Sequence, residues 1–159
     1  MKVRLSKSSI TDKEIQAVTT VLKNEYLGMG SEVSNFEKKI KSYINTESEV
    51  VCVSSGTSAL HLALNALNLK QGDEVLVPSL TYVASYQAIS ATGASPVSCE
   101  VNPSTLFLDH RDVESKISKN TKVIMPVHHS SSSKGIDAIY DIANKHNLRV
   151  VEDAAQAFG

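Results

Sequence analysis

Three short polar clusters are the places where this sequence could bind a ligand, because each follows a run of apolar residues. They are Ser54–Ser58, Pro78–Tyr82 and Glu152–Gln156. Small residues in the first cluster would expose backbone N–H groups at the positive end of a helix, which suits a phosphate, and the hydroxyls of Thr57 and Ser58 could add hydrogen bonds. Ser and Thr are also ordinary helix caps, so both interpretations stay open on these residues alone.

The other two clusters carry an aromatic ring and a carboxylate. Tyr82 follows the second predicted strand, where its ring could stack on a planar ligand or simply pack against the protein. Asp153 follows a buried apolar strand, and an acidic group in that place is costly unless it has a partner. Its carboxylate could pair with a protonated ring nitrogen, and Gln156 could reach the same ligand. Asp153 could also be a simple cap at the strand end.

Alternating strands and helices must position these clusters. Thr11–Glu14 is a capping-box pattern that begins an amphipathic helix, and a second helix follows the turn at Gly28–Gly30. From residue 50 onward, strand and helix patterns alternate, which is typical of successive βαβ units and a mostly parallel sheet. The predicted strands are Val50–Val53, Glu74–Val77, Pro96–Val101, Lys122–Val127 and Arg149–Glu152, and the predicted helices between them are Thr57–Leu69, Thr81–Ala91, Arg111–Ile117 and Ile136–His146. In such sheets, ligands bind beyond the carboxyl ends of the strands, which is where all three clusters fall.

Several other common sites are not supported by the sequence. Gly28–Gly30 follows no strand and lacks the third glycine of a dinucleotide site, and neither a Gly-x-x-x-x-Gly-Lys loop nor a Gly-x-Ser-x-Gly elbow occurs. His128 and His129 are adjacent on an extended segment, so their side chains should point to opposite sides, and we expect no metal site there. Cys52 and Cys99 both lie in predicted strands and form neither a disulfide framework nor a metal site.

Composition and charge describe an ordinary globular chain and exclude some functions. Hydrophobic residues make up 42% of the 159 residues, and the formal net charge of -1 gives no electrostatic footprint for nucleic acid. The apolar runs are shorter than the ~20 residues of a membrane span. The first nine residues lack the apolar run of a signal peptide. We therefore expect a cytoplasmic protein that binds neither nucleic acid nor membrane.

Taken in order, these segments resemble the DegT/DnrJ/StrS family of pyridoxal-phosphate-dependent sugar-nucleotide aminotransferases. The resemblance runs from about Leu5 to Gly159, and its motifs are Leu27–Gly30, Phe36–Lys39, Ser55–His61, Gly72–Val75, Pro78–Ala84, Pro126–His128 and Glu152–Ala157. It implies part of the large domain of the aspartate-aminotransferase-like fold, an α/β domain with a mostly parallel sheet and helices on both faces. Residues 1–46 would form an amino-terminal helical segment and residues 47–159 an incomplete cofactor-binding large domain, with the small carboxy-terminal domain absent.

The family resemblance gives each cluster a role. Gly56–Ser58 would contact the phosphate of pyridoxal phosphate through backbone and hydroxyl groups, and Tyr82 would stack on the pyridine ring. Asp153 would pair with the ring nitrogen and keep it protonated, so that the ring can accept electrons from the substrate carbanion. Gln156 would approach the ring hydroxyl.

The implied reaction transfers an amino group from glutamate to a nucleotide-linked keto-sugar and yields an amino sugar for surface polysaccharide or a secondary metabolite. Full-length relatives are usually homodimers. The family's Schiff-base lysine lies beyond Glu152–Gln156, past Gly159, so no catalytic residue is assigned here. Lys134 is no substitute because it lies in a loop, directly after the serine run Ser130–Ser133 and before the fourth predicted helix. Without that lysine, proton transfer at the substrate carbon lacks its usual base, and we expect these 159 residues alone to be inactive.

Two alternative functions stay open. Related cofactor-dependent keto-sugar dehydratases carry histidine at the lysine position, and the deciding residue lies past Gly159. A non-catalytic remnant could bind the cofactor weakly or only pair with other chains, and an exposed final strand would favour it. The sequence also departs from the family at Phe158, where histidine is common, and at His129 with Ser130–Ser133, which replace a loop that often contains glycine.

Overall fold

The computed structural model describes residues 7–158, so Leu5 and Gly159, the ends of the resemblance, lie outside the described residues. The chain divides into two compact units, Met1–Cys52 and Val53–Gly159. No helix within residues 7–158 is both long and apolar enough to cross a membrane.

The first unit contains two amphipathic helices, α1 (Asp12–Lys23) and α2 (Ser31–Tyr43). The predicted capping box is confirmed, because the Thr11 N–H donates to Glu14 Oε2 over 2.6 Å and the Thr11 hydroxyl accepts a bond from the first helical turn. Such a box pairs N–H groups that the first turn leaves without partners.

The second unit is built on a parallel sheet whose four strands, within the described residues, lie in the order β2–β1–β3–β4. The strands are β1 (Glu74–Pro78), β2 (Ser95–Cys99), β3 (Thr121–Ile124) and β4 (Arg149–Val150). The helices are α3 (Gly56–Asn65), α4 (Val83–Ala91), α5 (His110–Lys116) and α6 (Ile136–His146), and a 3-10 turn covers His129–Ser131. The predicted α/β class with a parallel sheet is confirmed.

Helices cover both faces of this sheet, which explains its continuously apolar strands. On the central strand β1, Leu76 belongs to the core formed with α5 and α6, whereas Val75 and Val77 belong to the core formed with α3 and α4. All three side chains are fully buried. Because successive side chains of a strand point to opposite faces, a strand covered on both faces needs apolar residues at every position.

Helix α6 is confirmed at its predicted bounds, Ile136–His146. It follows Gly135, whose φ of +106° lies in the left-handed region, and a Cβ there would stand 3.3 Å from the Phe107 ring. It ends at Asn147, which has a φ of 53° and donates its backbone N–H to the last turn. Gly before the helix and Asn after it are residues that accept such backbone angles at low cost.

The predicted strand at Val50–Val53 is wrong. These residues have no regular structure, and Val51 is 71% exposed. A strand needs a hydrogen-bonded neighbour, and no described strand pairs with this segment. Apart from α6, the other predicted elements exist but their ends differ by a few residues. Helix α3 ends at Asn65, α4 begins at Val83, and strands β3 and β4 end at Ile124 and Val150.

Candidate functional site

The amino end of α3 carries the first predicted cluster. Ser55 is the N-cap residue, and its hydroxyl accepts a hydrogen bond from the Ser58 N–H over 3.1 Å. The Ser58 hydroxyl lies 2.9 Å from Ser55 Oγ, so it is engaged within the cap. Gly56 faces open space, since a Cβ there would meet nothing within 4 Å. First-turn N–H groups have no partner inside a helix, so those of Gly56 and the exposed Thr57 are available to an anion.

Asp153 lies at the carboxyl edge of the sheet, just beyond β4. Asp153 is buried, with only 6% of the residue exposed. Parallel pairing places it there, because the Asp153 N–H donates to the Pro126 carbonyl over 2.9 Å and the His128 N–H donates to the Asp153 carbonyl over 3.0 Å. Both carboxylate oxygens accept hydrogen bonds, Oδ2 from the Ser85 hydroxyl over 2.9 Å and Oδ1 from the Ala155 N–H over 3.2 Å.

Ser85 is a site residue that the sequence reasoning missed. It is fully buried on α4, and its hydroxyl lies 2.7 Å from Thr81 Oγ1 as well as 2.9 Å from Asp153. Because the carboxylate can only accept, Ser85 donates to Asp153 and accepts from Thr81. The signal that could have revealed it is a small polar residue on the apolar face that Ala84 and Ala88 share.

Tyr82 occupies the N-cap position of α4, immediately before its first turn. Its backbone is extended and its side chain belongs to a residue 75% exposed. The ring is therefore not packed in the core of this unit. It lies one helical turn before Ser85, so α4 carries both an accessible aromatic ring and the donor that holds Asp153.

Gln156 is tied to the serine loop, residues 130–133. Its side-chain Oε1 accepts a hydrogen bond from the Ser130 N–H over 2.8 Å, and its backbone carbonyl accepts one from the Ser131 hydroxyl. The amide oxygen is thus used within the protein, and the amide NH2 group is the part left for a ligand.

His128, Glu152 and Tyr140 form a further hydrogen-bonded cluster beside the site. His128 is 6% exposed, and its Nε2 lies 2.6 Å from Glu152 Oε2. The Tyr140 hydroxyl donates to the other carboxylate oxygen of Glu152, and this hydrogen bond, with some burial, raises the pKa of Tyr140 to about 12. A cavity of about 290 Å³ lies here, lined by His128, Ser131, Ser133, Glu152, Ala154 and Ala157.

Within residues 7–158, the predicted site residues are related through neighbouring residues and through packing rather than by direct hydrogen bonds to one another. Tyr82 and Asp153 are connected through α4, and Gln156 follows Asp153 by three residues. Within residues 7–158, no hydrogen bond joins Gly56–Ser58 to Asp153, although α3 packs on α4. No group of three or more His, Cys, Asp or Glu in this part of the chain could hold a metal ion. A larger cleft of about 860 Å³ lies at the opposite edge of the sheet, and none of the predicted cofactor-binding residues lines it.

Comparison with known proteins shows which family shares this sequence. The sequence profile of the DegT/DnrJ/EryC1/StrS aminotransferase family matches residues 8–159. The chain belongs to this family. Among its curated relatives, a dTDP-3-amino-3,6-dideoxy-alpha-D-galactopyranose transaminase of Aneurinibacillus thermoaerophilus is 45% identical over 148 residues, which are 92% of this chain and 40% of the relative. A GDP-perosamine synthase of Caulobacter vibrioides is 44% identical over 131 residues, 82% of this chain and 35% of that protein.

Solved structures share the fold. DesV of S. venezuelae matches with a TM-score of 0.88 and 40% identity over 92% of this chain and 39% of that one. Spr1654 of Streptococcus pneumoniae, in its PMP form, matches with a TM-score of 0.93 and 30% identity over 100% of this chain and 44% of that one. The chain thus spans about 40% of the length of the curated relatives it matches.

Proposed function

We propose that this chain supplies the cofactor-binding part of a pyridoxal-phosphate-dependent aminotransferase that moves an amino group from glutamate to a nucleotide-linked keto-sugar. The observation that carries the proposal is the buried Asp153 carboxylate, held at the carboxyl edge of a parallel sheet by Ser85 and the Ala155 N–H. Relatives named as transaminases of dTDP-linked sugars support the substrate class. A homodimeric assembly and a cytoplasmic location stay predictions.

The residues present fit pyridoxal phosphate at three points. The open end of α3 offers the backbone N–H groups of Gly56 and Thr57 to a phosphate. The exposed ring of Tyr82 offers an aromatic face to a planar heterocycle. Asp153 offers a buried carboxylate to a protonated ring nitrogen, a pairing that compensates the cost of burying the charge.

Each residue would then have a distinct task. When bound, pyridoxal phosphate supplies an electron sink for the substrate carbanion. Asp153 would hold the proton on the ring nitrogen, and the two hydrogen bonds that it accepts fix the direction of its carboxylate. Tyr82 would fix the plane of the ring, and the amide NH2 group of Gln156 would donate to the ring hydroxyl. Orientation of this kind is the main contribution that a protein makes to a cofactor's chemistry.

A binding experiment tests this proposal. The affinity for pyridoxal phosphate, followed by its absorbance and induced circular dichroism, should fall by at least about tenfold in Asp153→Ala, since loss of a charged partner costs more than about 1.4 kcal/mol. Asp141→Ala removes an exposed carboxylate on α6 and should leave the affinity unchanged. Equal affinity in the two variants, or no saturable binding by the unmodified chain, would overturn the proposal.

A further inference from the structure

Both ring nitrogens of the buried His128 face oxygen atoms. Nε2 lies 2.6 Å from Glu152 Oε2, and Nδ1 lies 3.2 Å from the carbonyl oxygen of Ser132. A carbonyl and an ionised carboxylate can only accept hydrogen bonds. Hydrogen bonds at its two ring nitrogens therefore connect His128 to both Ser132 and Glu152.

The surroundings of the ring are consistent with these two bonds. Glu152 Oε2 contacts the ring at Nε2, and the Tyr140 hydroxyl donates to the other carboxylate oxygen, Oε1. From another side, the Phe107 ring lies with its centroid 5.6 Å from that of the imidazole and brings no charge. Burial makes these hydrogen bonds costly to lose, because His128 is only 6% exposed.

The two bonds of His128 connect segments that carry the candidate site. One reaches the serine loop at Ser132, and the other reaches Glu152, the residue before Asp153. Gln156 meets the same loop through Ser130 and Ser131. The serine loop and residues 152–156 are thus fastened to each other at several points.

The backbone of the loop indicates that these contacts are needed. Ser130 and Ser131 have φ values of 52° and 64°, in the left-handed region that residues other than glycine rarely adopt. Local preference does not favour this shape in a run of serines, and the hydrogen bonds to His128 and Gln156 help to stabilise it.

We propose that His128 is a positioning residue, which clamps the serine loop onto residues 152–156 and thereby fixes the Gln156 amide toward a ligand at Asp153. With the loop in place, Ser130 holds the amide oxygen of Gln156, and the NH2 group is left to donate to the ligand. That the ligand is the cofactor ring rests on the function proposed above.

Limited proteolysis tests whether His128 holds the serine loop in place, and it needs no cofactor. Lys134 is an exposed trypsin site at the end of the loop, and Lys119 is an exposed site in a separate turn of the same unit. In His128→Ala we expect cleavage after Lys134 to become at least about tenfold faster, because two hydrogen bonds, one of them to a charged group, are lost. Cleavage after Lys119 should keep its rate. An unchanged rate after Lys134, or an equal rise at both sites, would overturn the clamp.

Conservative variants separate the two ring bonds. Asparagine at position 128 keeps a donor near the place of Nδ1, and glutamine keeps one near the place of Nε2. We expect His128→Asn to protect Lys134 more than His128→Ala does, since it retains the bond to the loop itself. Equal cleavage in the Asn and Ala variants would contradict the role of the Ser132 bond.

Binding of pyridoxamine phosphate, measured by calorimetry, tests the positioning step. We expect at least about tenfold weaker binding in His128→Ala and no change in His110→Ala, an exposed histidine on α5. Faster cleavage after Lys134 with unchanged affinity would overturn the positioning role of His128. Failure of the unmodified chain to bind pyridoxamine phosphate would overturn both the positioning role and the proposed function. Proteolysis would still decide the loop contact in that case, because it needs no ligand.

Discussion

At the residue scale, Ser85 controls how the Asp153 carboxylate is held. In Ser85→Ala, Oδ2 of a carboxylate that is nearly buried loses its donor, which costs about 1–3 kcal/mol. We expect the variant to unfold at a correspondingly lower urea concentration. Ser90→Ala, at an exposed position of the same helix, should change the free energy of unfolding by less than about 0.5 kcal/mol. Equal losses in the two variants would contradict the assignment.

The raised pKa of the Tyr140 hydroxyl can be measured by titration at alkaline pH. Its hydrogen bond to Glu152 raises its pKa from 10.0 to about 12, because only the protonated phenol can donate. The bond therefore stabilises the fold fully below the ordinary pKa of about 10 and is lost as the pH rises through about 12. The deprotonation of the five tyrosines can be followed by absorbance. One of them, which deprotonates late in the unmodified chain, should do so at lower pH in Glu152→Gln. A titration identical to that of the unmodified chain would argue against the contact.

Residue types alone predicted some parts of the site but not their partners. Asp153 could be selected because a charged group directly follows an apolar strand. Its donor Ser85 lies 68 positions earlier in the chain, and only the folded packing of α4 against the sheet brings the two together. The bonds that Gln156 makes to the serine loop could not be predicted for the same reason.

At the element scale, the predicted bounds of α6 match the structure to the residue, and Gly135 and Asn147 at its two ends have backbone angles that those residues accept. No local signal separated Val50–Val53 from a true strand, since strand formation depends on a neighbour that the sequence does not show. The 3-10 turn at His129–Ser131 was likewise not predicted, because serine does not favour the left-handed angles found there.

The central strand should be the element most sensitive to loss of side-chain volume. Leu76 is fully buried in the core with α5 and α6, so Leu76→Ala should lower the free energy of unfolding by about 2–5 kcal/mol. Leu62→Ala removes the same atoms from a residue of α3 that is 52% exposed and should cost far less. Urea denaturation of the two variants measures the difference, and similar midpoints would contradict the described core.

At the scale of the whole molecule, amino transfer needs a base at the substrate carbon, a role that the family resemblance gives to a lysine. The ion pairs of lysine side chains within residues 7–158 are with Glu49, Asp112 and Glu114, none of which belongs to the candidate site. We therefore expect these 159 residues alone to show no glutamate-dependent turnover above that of free cofactor. Turnover clearly above that background would contradict the expectation.

The central claim is that Asp153 holds a proton on the ring nitrogen of bound pyridoxal phosphate. The most direct measurement is the 15N chemical shift of that nitrogen in labelled cofactor bound to the chain and to Asp153→Asn. We predict a protonated nitrogen in the unmodified chain and an unprotonated one in the variant at the same pH, because an amide does not stabilise the positive charge as a carboxylate does. The same protonation state in both proteins would contradict the claim.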